Sequence, residues 1–322
     1  MESPFSPAAT GTDRPHRILL LFLDGVGIGP SDPTINPFLH ARIPNLRTLL
    51  GGEPPTLSML EMENPGPAQL IPLDACMGVA GLPQSGTGQV SLLTGTNAPR
   101  DLGRHFGPWP PVHLRPTLER DNLLVRAARS GGSVIFANAY PENYPEGRNR
   151  RLVAAPPLAA RAAGHLTRHH HHLREGQAVA SEIVNDGWRV HLGHDDIPQI
   201  TPEEAGENLA RIAGDARLTL FAHYLTDLAG HRGGMVGGID ALERVDRFLG
   251  GLLTRLGSDT LLLLVSDHGN LEDIRGGHTR NPALGLAVGP GSHQLPPAPG
   301  LHQLAPAILG LLGVPDAHVP AR

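Results

Sequence analysis

The stretch Leu261-Leu262-Leu263-Leu264-Val265-Ser266-Asp267-His268-Gly269-Asn270 decides how this chain is read. Its apolar run fits a strand covered on both faces, and it ends on a carboxylate beside an imidazole. A second imidazole follows in His278-Thr279. Burying such groups unpaired costs several kcal/mol each, and a metal ion is the usual compensation. The same chemistry closes two other segments, Leu23-Asp24-Gly25 and Asp227-x-x-x-His231.

Working outward, strands and helices alternate at both ends of the chain. Arg17–Leu23, Gln69–Leu73, Ser133–Asn138, Leu218–Tyr224, Thr260–Val265 and Leu284–Val288 read as strands. Ile43-Pro44-Asn45-Leu46 opens a short helix; Gly88–Thr94, Leu118–Ala128, Ile239–Leu256 and His302–Leu312 read as helices. Thr201-Pro202-Glu203-Glu204 is a helix start, with Thr as N-cap, Pro at N1 and Glu at N3, running to about Ala213. The pattern predicts an α/β fold with a doubly wound, mainly parallel sheet flanked by helices. Residues 1–15 are expected to form a disordered tail, 16–100 and 201–322 a catalytic metal-binding core, and 101–200 a small inserted cap or substrate lobe.

Composition narrows the function classes. With 322 residues and 40% hydrophobic content, the chain can bury one large core. A net charge of −5 gives no general attraction to nucleic acid or to an anionic membrane. The run Ile18–Leu23 is too short to span a bilayer. Lysine is absent, so no catalytic lysine exists. Cys76 is the single cysteine, which rules out an internal disulfide and favours a reducing compartment. With no signal-peptide pattern in the first fifteen residues, the expected location is cytoplasmic.

In a doubly wound sheet, ligands bind outside the carboxyl ends of the strands. Asp24, Asp227 and the Asp267-His268 pair lie at or just beyond such ends, so one sheet edge collects them. Together with His231 and His278 they make three carboxylates and three imidazoles, more than one tetrahedral ion needs. Such a set suits two divalent ions: zinc or manganese for mixed O and N donors, magnesium being less comfortable with histidine. Paired ions can clamp the attacking and leaving oxygens of phosphoryl transfer. Gln84-Ser85-Gly86-Thr87-Gly88 forms a small-residue turn into a helix, a favourable place for an anion. Beside a divalent cation, a serine there can lose its proton at neutral pH.

On these residues the chain resembles the alkaline phosphatase superfamily, in its branch of cofactor-independent phosphoglycerate mutase and phosphopentomutase. The matching pieces are Phe22-Leu23-Asp24-Gly25-Val26-Gly27, Ser85-Gly86-Thr87-Gly88-Gln89, Leu92-Leu93-Thr94-Gly95, Asp227-x-x-x-His231, Ser266-Asp267-His268-Gly269-Asn270 and His278-Thr279-x-Asn281-Pro282. The resemblance implies an alkaline-phosphatase-like core with Ser85 as the nucleophile that becomes phosphorylated. It implies one metal on Asp227, His231 and His278, and another on Asp24, Ser85, Asp267 and His268. Thr87 stands where phosphopentomutases also carry threonine.

Departures shape the expectation. Gln89 stands where the mutases usually have histidine, a change expected to alter contacts near the substrate and not the metals. Phosphoglycerate mutases have a far larger inserted domain and use a lysine near the transferred phosphate; this chain has neither. Sulfatases place Pro and Arg where Thr87 and Gln89 stand. The expected activity is therefore hydrolysis of a small phosphate ester through a phosphoserine, with an intramolecular phosphomutase as the alternative. A further alternative is an inactive metal-binding interaction protein, against which all seven ligand positions hold competent residues. Thr87, Gln89 and Arg104 are the expected substrate contacts, with Arg100 and His105 nearby. The run His169–His172 reads as a surface feature able to bind metal adventitiously, and Trp109 and Trp188 as core.

Overall fold

The computed structural model describes residues 14–62, 66–145 and 152–315. Most of the tail expected at 1–15 lies outside these residues. Six strands form one sheet: β1 (Arg17–Leu23), β2 (Gln69–Leu73), β3 (Val134–Phe136), β4 (Leu218–His223), β5 (Thr260–Val265) and β6 (Ala283–Val288). The helices are α1 (Pro44–Leu49), α2 (Ser85–Thr94), α3 (Ala98–Leu102), α4 (Arg115–Arg120), α5 (Leu123–Arg129) and α6 (Ala155–Ala162). They continue with α7 (His170–Arg174), α8 (Asp186–Val190), α9 (Pro202–Ala213), α10 (Leu225–Arg232), α11 (Gly234–Arg255) and α12 (Leu304–Leu311).

The sheet order is β2-β6-β5-β1-β4-β3. β1 pairs in parallel with both β4 and β5, and β3 with β4, whereas β6 runs antiparallel to β5 and β2. Continuous apolar strands require cover on both faces, and they have it. Ile18, Leu20 and Phe22 of β1 join a core with Val90 of α2, Leu124 of α5 and Ile308 of α12. Leu19, Leu21 and Leu23 point the other way, into a core with Leu209 of α9 and with Phe248 and Leu252 of α11. Side chains alternating across β1 thus stitch the two layers together.

Local chemistry sets the helix ends. Thr201 and Glu204 form the expected capping box: Thr201 Oγ1 accepts from Glu204 N at 3.2 Å, and Glu204 Oε2 from Thr201 N at 2.7 Å. α11 begins five residues before its expected start, through a glycine-rich segment that propensity alone disfavours. Packing overrides propensity there, because Gly238 lies against Pro37 where a Cβ would come within 2.9 Å.

Two expectations are corrected. The helix expected over Leu118–Ala128 is broken into α4 and α5 at Asn122, whose Oδ1 accepts from Leu124 N at 2.9 Å and Val125 N at 3.1 Å. An N-cap side chain placed mid-segment starts a new helix. Nor do residues 101–200 stand apart as a cap: β3 extends the main sheet, and Leu118, Leu124, Phe136 and Leu158 lie in the same core as β1. Among the described residues of this stretch, a small cluster of Ala139, Leu173, Ala178, Ala180, Trp188 and Ile197 forms a separate satellite. No helix among the described residues is long and apolar enough to cross a membrane.

Candidate metal centre

β5, β1 and β4 lie side by side in parallel, so their carboxyl ends share one edge. Asp24 follows β1, and Asp267 and His268 follow β5. α10 leaves directly after β4, and its i,i+4 spacing puts Asp227 and His231 on one face. His278 comes from the loop between β5 and β6, and Ser85 opens α2. Ligand atoms of Asp24, Asp267 and His268 all lie within 4.8 Å of one another, as do those of Asp227, His231 and His278. The two sets adjoin: the His268 and His278 rings stack with centroids 3.8 Å apart. Ser85 Oγ lies 2.9 Å from His268 Nε2 and 3.5 Å from Asp24 Oδ1.

Backbone and neighbouring groups aim these side chains. Gly25 adopts φ +66°, and a Cβ there would lie 2.4 Å from Asp227 Oδ1, so only glycine lets β1 and α10 meet this closely. Thr226 Oγ1 donates to Asp24 O at 2.5 Å, and Asn270 Nδ2 to Asp227 Oδ1 at 2.6 Å. His278 Nδ1 pairs with Pro83 O at 2.7 Å and His268 Nδ1 with Gly269 O at 3.2 Å, leaving each Nε2 to face the centre. Such partners fix ring orientation in metal sites.

Electrostatics fit cations. Asp24, Asp267 and His268 are buried, and no lysine exists to neutralise the carboxylates. Burial, reinforced by the Asp267 charge, pushes the Asp24 carboxyl up to about 8. Burial pulls His268 down, but the Asp267 charge and the Asp24 hydrogen bond override it and raise the imidazole to about 10. His278 is lowered by burial and by His268. The Asp24 carboxyl that retains its proton and the His268 imidazole that holds one are signs of a site short of positive charge.

The three expected substrate contacts fall in different places. Thr87 is fully buried, and its hydroxyl donates to Gln84 O at 3.3 Å and accepts from Phe106 N at 3.2 Å. Arg104 is exposed and lies over the Phe106 ring at 5.6 Å. Gln89 lines the cavity, yet its Nε2 donates to Asp24 Oδ2 at 3.1 Å and Asp267 Oδ2 at 3.0 Å. It therefore contacts the carboxylates of the ligand set, contrary to the expectation that it leaves them untouched. Trp109, expected in the core, lines the cavity instead. In the histidine run, His170 and His171 bring ligand atoms within 4.8 Å of Glu142, on the surface.

Besides the aromatic lining, the sequence reading missed Arg232 and Glu272. Arg232, next to His231, lines the cavity. Glu272 is fully buried and accepts from Gly27 N and Asn270 N, both at 2.8 Å, from Thr279 Oγ1 at 2.5 Å and from Asn281 Nδ2 at 3.0 Å. The only signal was a glutamate inside the loop that follows Asp267-His268. All four partners donate, which a carboxylate satisfies and an amide cannot. Glu272→Gln is expected to weaken metal binding about 10- to 100-fold, read by metal titration of the folded variant. Undiminished affinity would show that other contacts hold the loop.

The fold is of the α/β class, and two clustered sets of carboxylates and imidazoles offer places for metal ions. Residues 204–316 match the family model described as the Metalloenzyme superfamily. A phosphopentomutase of Chromohalobacter salexigens is 40% identical over 168 residues, covering 48% of this chain and 37% of that protein. The match thus spans well under half of the relative's length. A solved protein from Pyrococcus horikoshii aligns at TM-score 0.56 and 14% identity over 95% of this chain and 99% of that one. A cold-active alkaline phosphatase from Shewanella aligns at TM-score 0.50 and 10% identity over 93% and 100%. The family model and the partial phosphopentomutase match agree with the resemblance read from the sequence, and the solved structures share the fold.

Proposed function

We propose that this chain hydrolyses a small phosphate ester through a phosphoserine at Ser85. The observation that carries this reading is Ser85 Oγ beside the buried Asp24 and His268, at a cavity of about 820 Å³ that Ser85, Asp24, Asp227 and His231 line. Two divalent ions fit the donor sets: Asp227, His231 and His278 would hold one, and Asp24, Ser85, Asp267 and His268 the other. Zinc and manganese suit the mixed donors best, with magnesium a third choice. When bound, such ions supply positive charge against the charge that builds on a transferring phosphoryl group.

The chain's own residues do the rest. Ser85 Oγ gives up its proton and bonds to phosphorus as the ester P–O bond opposite breaks, and the departing alcohol oxygen takes a proton. Water then attacks the phosphoserine, the Oγ–P bond breaks, and inorganic phosphate leaves. Ser85 is the first residue of α2, whose amide dipoles favour an anion there. Gln89, with Oε1 accepting from Ala155 N at 3.2 Å, keeps Asp24 and Asp267 bridged through its amide. Arg232 adds a guanidinium at the cavity wall, suited to a phosphate oxygen pair. A cytoplasmic setting accompanies this reading, in line with the lone Cys76.

The partial match to a phosphopentomutase favours a second reading, intramolecular phosphoryl transfer. Metal-loaded protein incubated with phosphate mono- and diesters separates the two. Release of inorganic phosphate supports hydrolysis. An isomerised sugar phosphate without free phosphate replaces it with the mutase, and no reaction with any ester overturns both.

A further inference from the structure

We infer that the cavity in front of Ser85 accepts a phosphate ester whose alcohol carries a planar aromatic or heteroaromatic ring. The inference rests on the phosphoester reading of Ser85 and narrows its substrate.

This chain is poor in aromatic residues: three tyrosines, two tryptophans and seven phenylalanines in 322 residues. Yet all three tyrosines, Tyr140, Tyr144 and Tyr224, line this one cavity, together with Trp109. They come from separate segments: Trp109 before α4, Tyr140 and Tyr144 beyond β3, and Tyr224 at the junction of β4 and α10. Folding therefore gathers them; sequence proximity does not.

The rings are braced from behind. Tyr140 stacks on the buried Phe136 with centroids 6.0 Å apart and planes 18° from parallel, and Tyr144 tilts against Tyr140 at 4.4 Å. Tyr224 meets the buried Phe22 edge-on at 6.3 Å. Tyr140 and Tyr224 turn their hydroxyls toward each other, 3.5 Å apart. Burial keeps both phenols neutral by raising them far above the usual range. The wall is thus a preformed, uncharged aromatic surface, and such surfaces favour planar partners in stacked or edge-on contact. Leu152 and Leu228, 51% and 47% exposed, extend it toward the opening.

Size and polarity point the same way. About 820 Å³ is in the range of sites that enclose a whole drug-sized ligand, far more than a phosphate group needs. A bare sugar phosphate would bring several hydroxyls against this wall. Beyond the ligand sets, and among the described residues, Gln89 is already engaged by Asp24, Asp267 and Ala155, which leaves Ser181, Arg232, the Trp109 indole and the phenols as the polar lining side chains. A site built to select sugar hydroxyls places hydrogen-bonding groups against them. This one places ring faces.

A nucleoside 5′-monophosphate and ribose 5-phosphate provide the test, because both release the same kind of primary alcohol and differ by the ring. With metal-loaded protein, kcat/KM for the nucleotide is expected to exceed that for ribose 5-phosphate by about tenfold or more. Trp109→Ala and Tyr144→Ala should pull that ratio toward one. Ribose 5-phosphate turned over equally well or faster by the native chain overturns the inference. A second measurement needs no turnover: in a Trp188→Phe background, the free nucleoside should quench Trp109 fluorescence saturably, and ribose should not. Absence of quenching overturns the inference as well. If neither ester releases phosphate while the nucleoside still quenches, the phosphoester reading of Ser85 fails and the aromatic site stands.

Discussion

Ser85→Ala is expected to abolish phosphate-ester hydrolysis, lowering kcat by on the order of 10⁴-fold or more, while the protein stays folded and loaded with metal. The size of the effect follows from the role: without Oγ, no covalent phosphoryl intermediate can form, and only binding and charge stabilisation remain. Retention of metal follows from the geometry. Asp24, Asp267 and His268 still bring three donors within 4.8 Å of one another after the hydroxyl is gone, and the other set does not include Ser85. The fold should tolerate the change because Gln84, not Ser85, occupies the N-cap of α2, and alanine suits a helix interior. Turnover of an aryl phosphate and metal content, measured on the same preparation, check both halves. Hydrolysis at the native rate by the alanine variant would remove Ser85 from the mechanism.

Much of this architecture was legible before the structure. β1 and β5 carry near-continuous apolar runs and β4 is interrupted by Thr219 alone before it ends at His223; strands this short of polar alternation must be covered on both sides. Once three such strands lie parallel, the residues just past their ends share an edge, so Asp24, Asp227 and Asp267-His268 converge without any contact information. Thr201 and Glu204 announce their helix equally well, because a capping box is wholly local. What failed was non-local. Tyr140, Tyr144, Tyr224 and Trp109 are single aromatic residues in unrelated segments, and no periodicity links them. Glu272 looked like an ordinary loop glutamate, since its four donors come from residues as distant as Gly27. Gln89 was misjudged because its direction depends on where α2 docks. Residues 101–200 looked like a cap because their helices are short and interrupted, yet Leu118, Leu124 and Phe136 pack into the core of the main sheet.

Removing divalent metal should abolish turnover and destabilise the fold, and restoring zinc or manganese should reverse both. Stabilisation by a bound ion grows as RT ln(1 + [L]/Kd), about 4 kcal/mol per site at a thousandfold excess over Kd. For a chain of this length that corresponds to a melting shift on the order of 10 °C. The cause is visible in the centre. Asp24, Asp227 and Asp267 crowd together with three imidazoles, and burial with the Asp267 charge pushes Asp24 up to about 8. The metal-free centre thus holds protons that a cation must displace, so metal affinity should rise with pH through about 8, where Asp24 loses its proton, and on toward about 10, where His268 does. Two sets of donors also imply two separable losses. His231→Ala should drop the bound metal from two equivalents to one by dismantling the Asp227 set, and Asp267→Ala should do the same through the Asp24 set. Melting curves with and without a chelator, alongside metal analysis of each variant, test the argument. Identical melting in both conditions would mean that these six side chains are held by one another and not by cations.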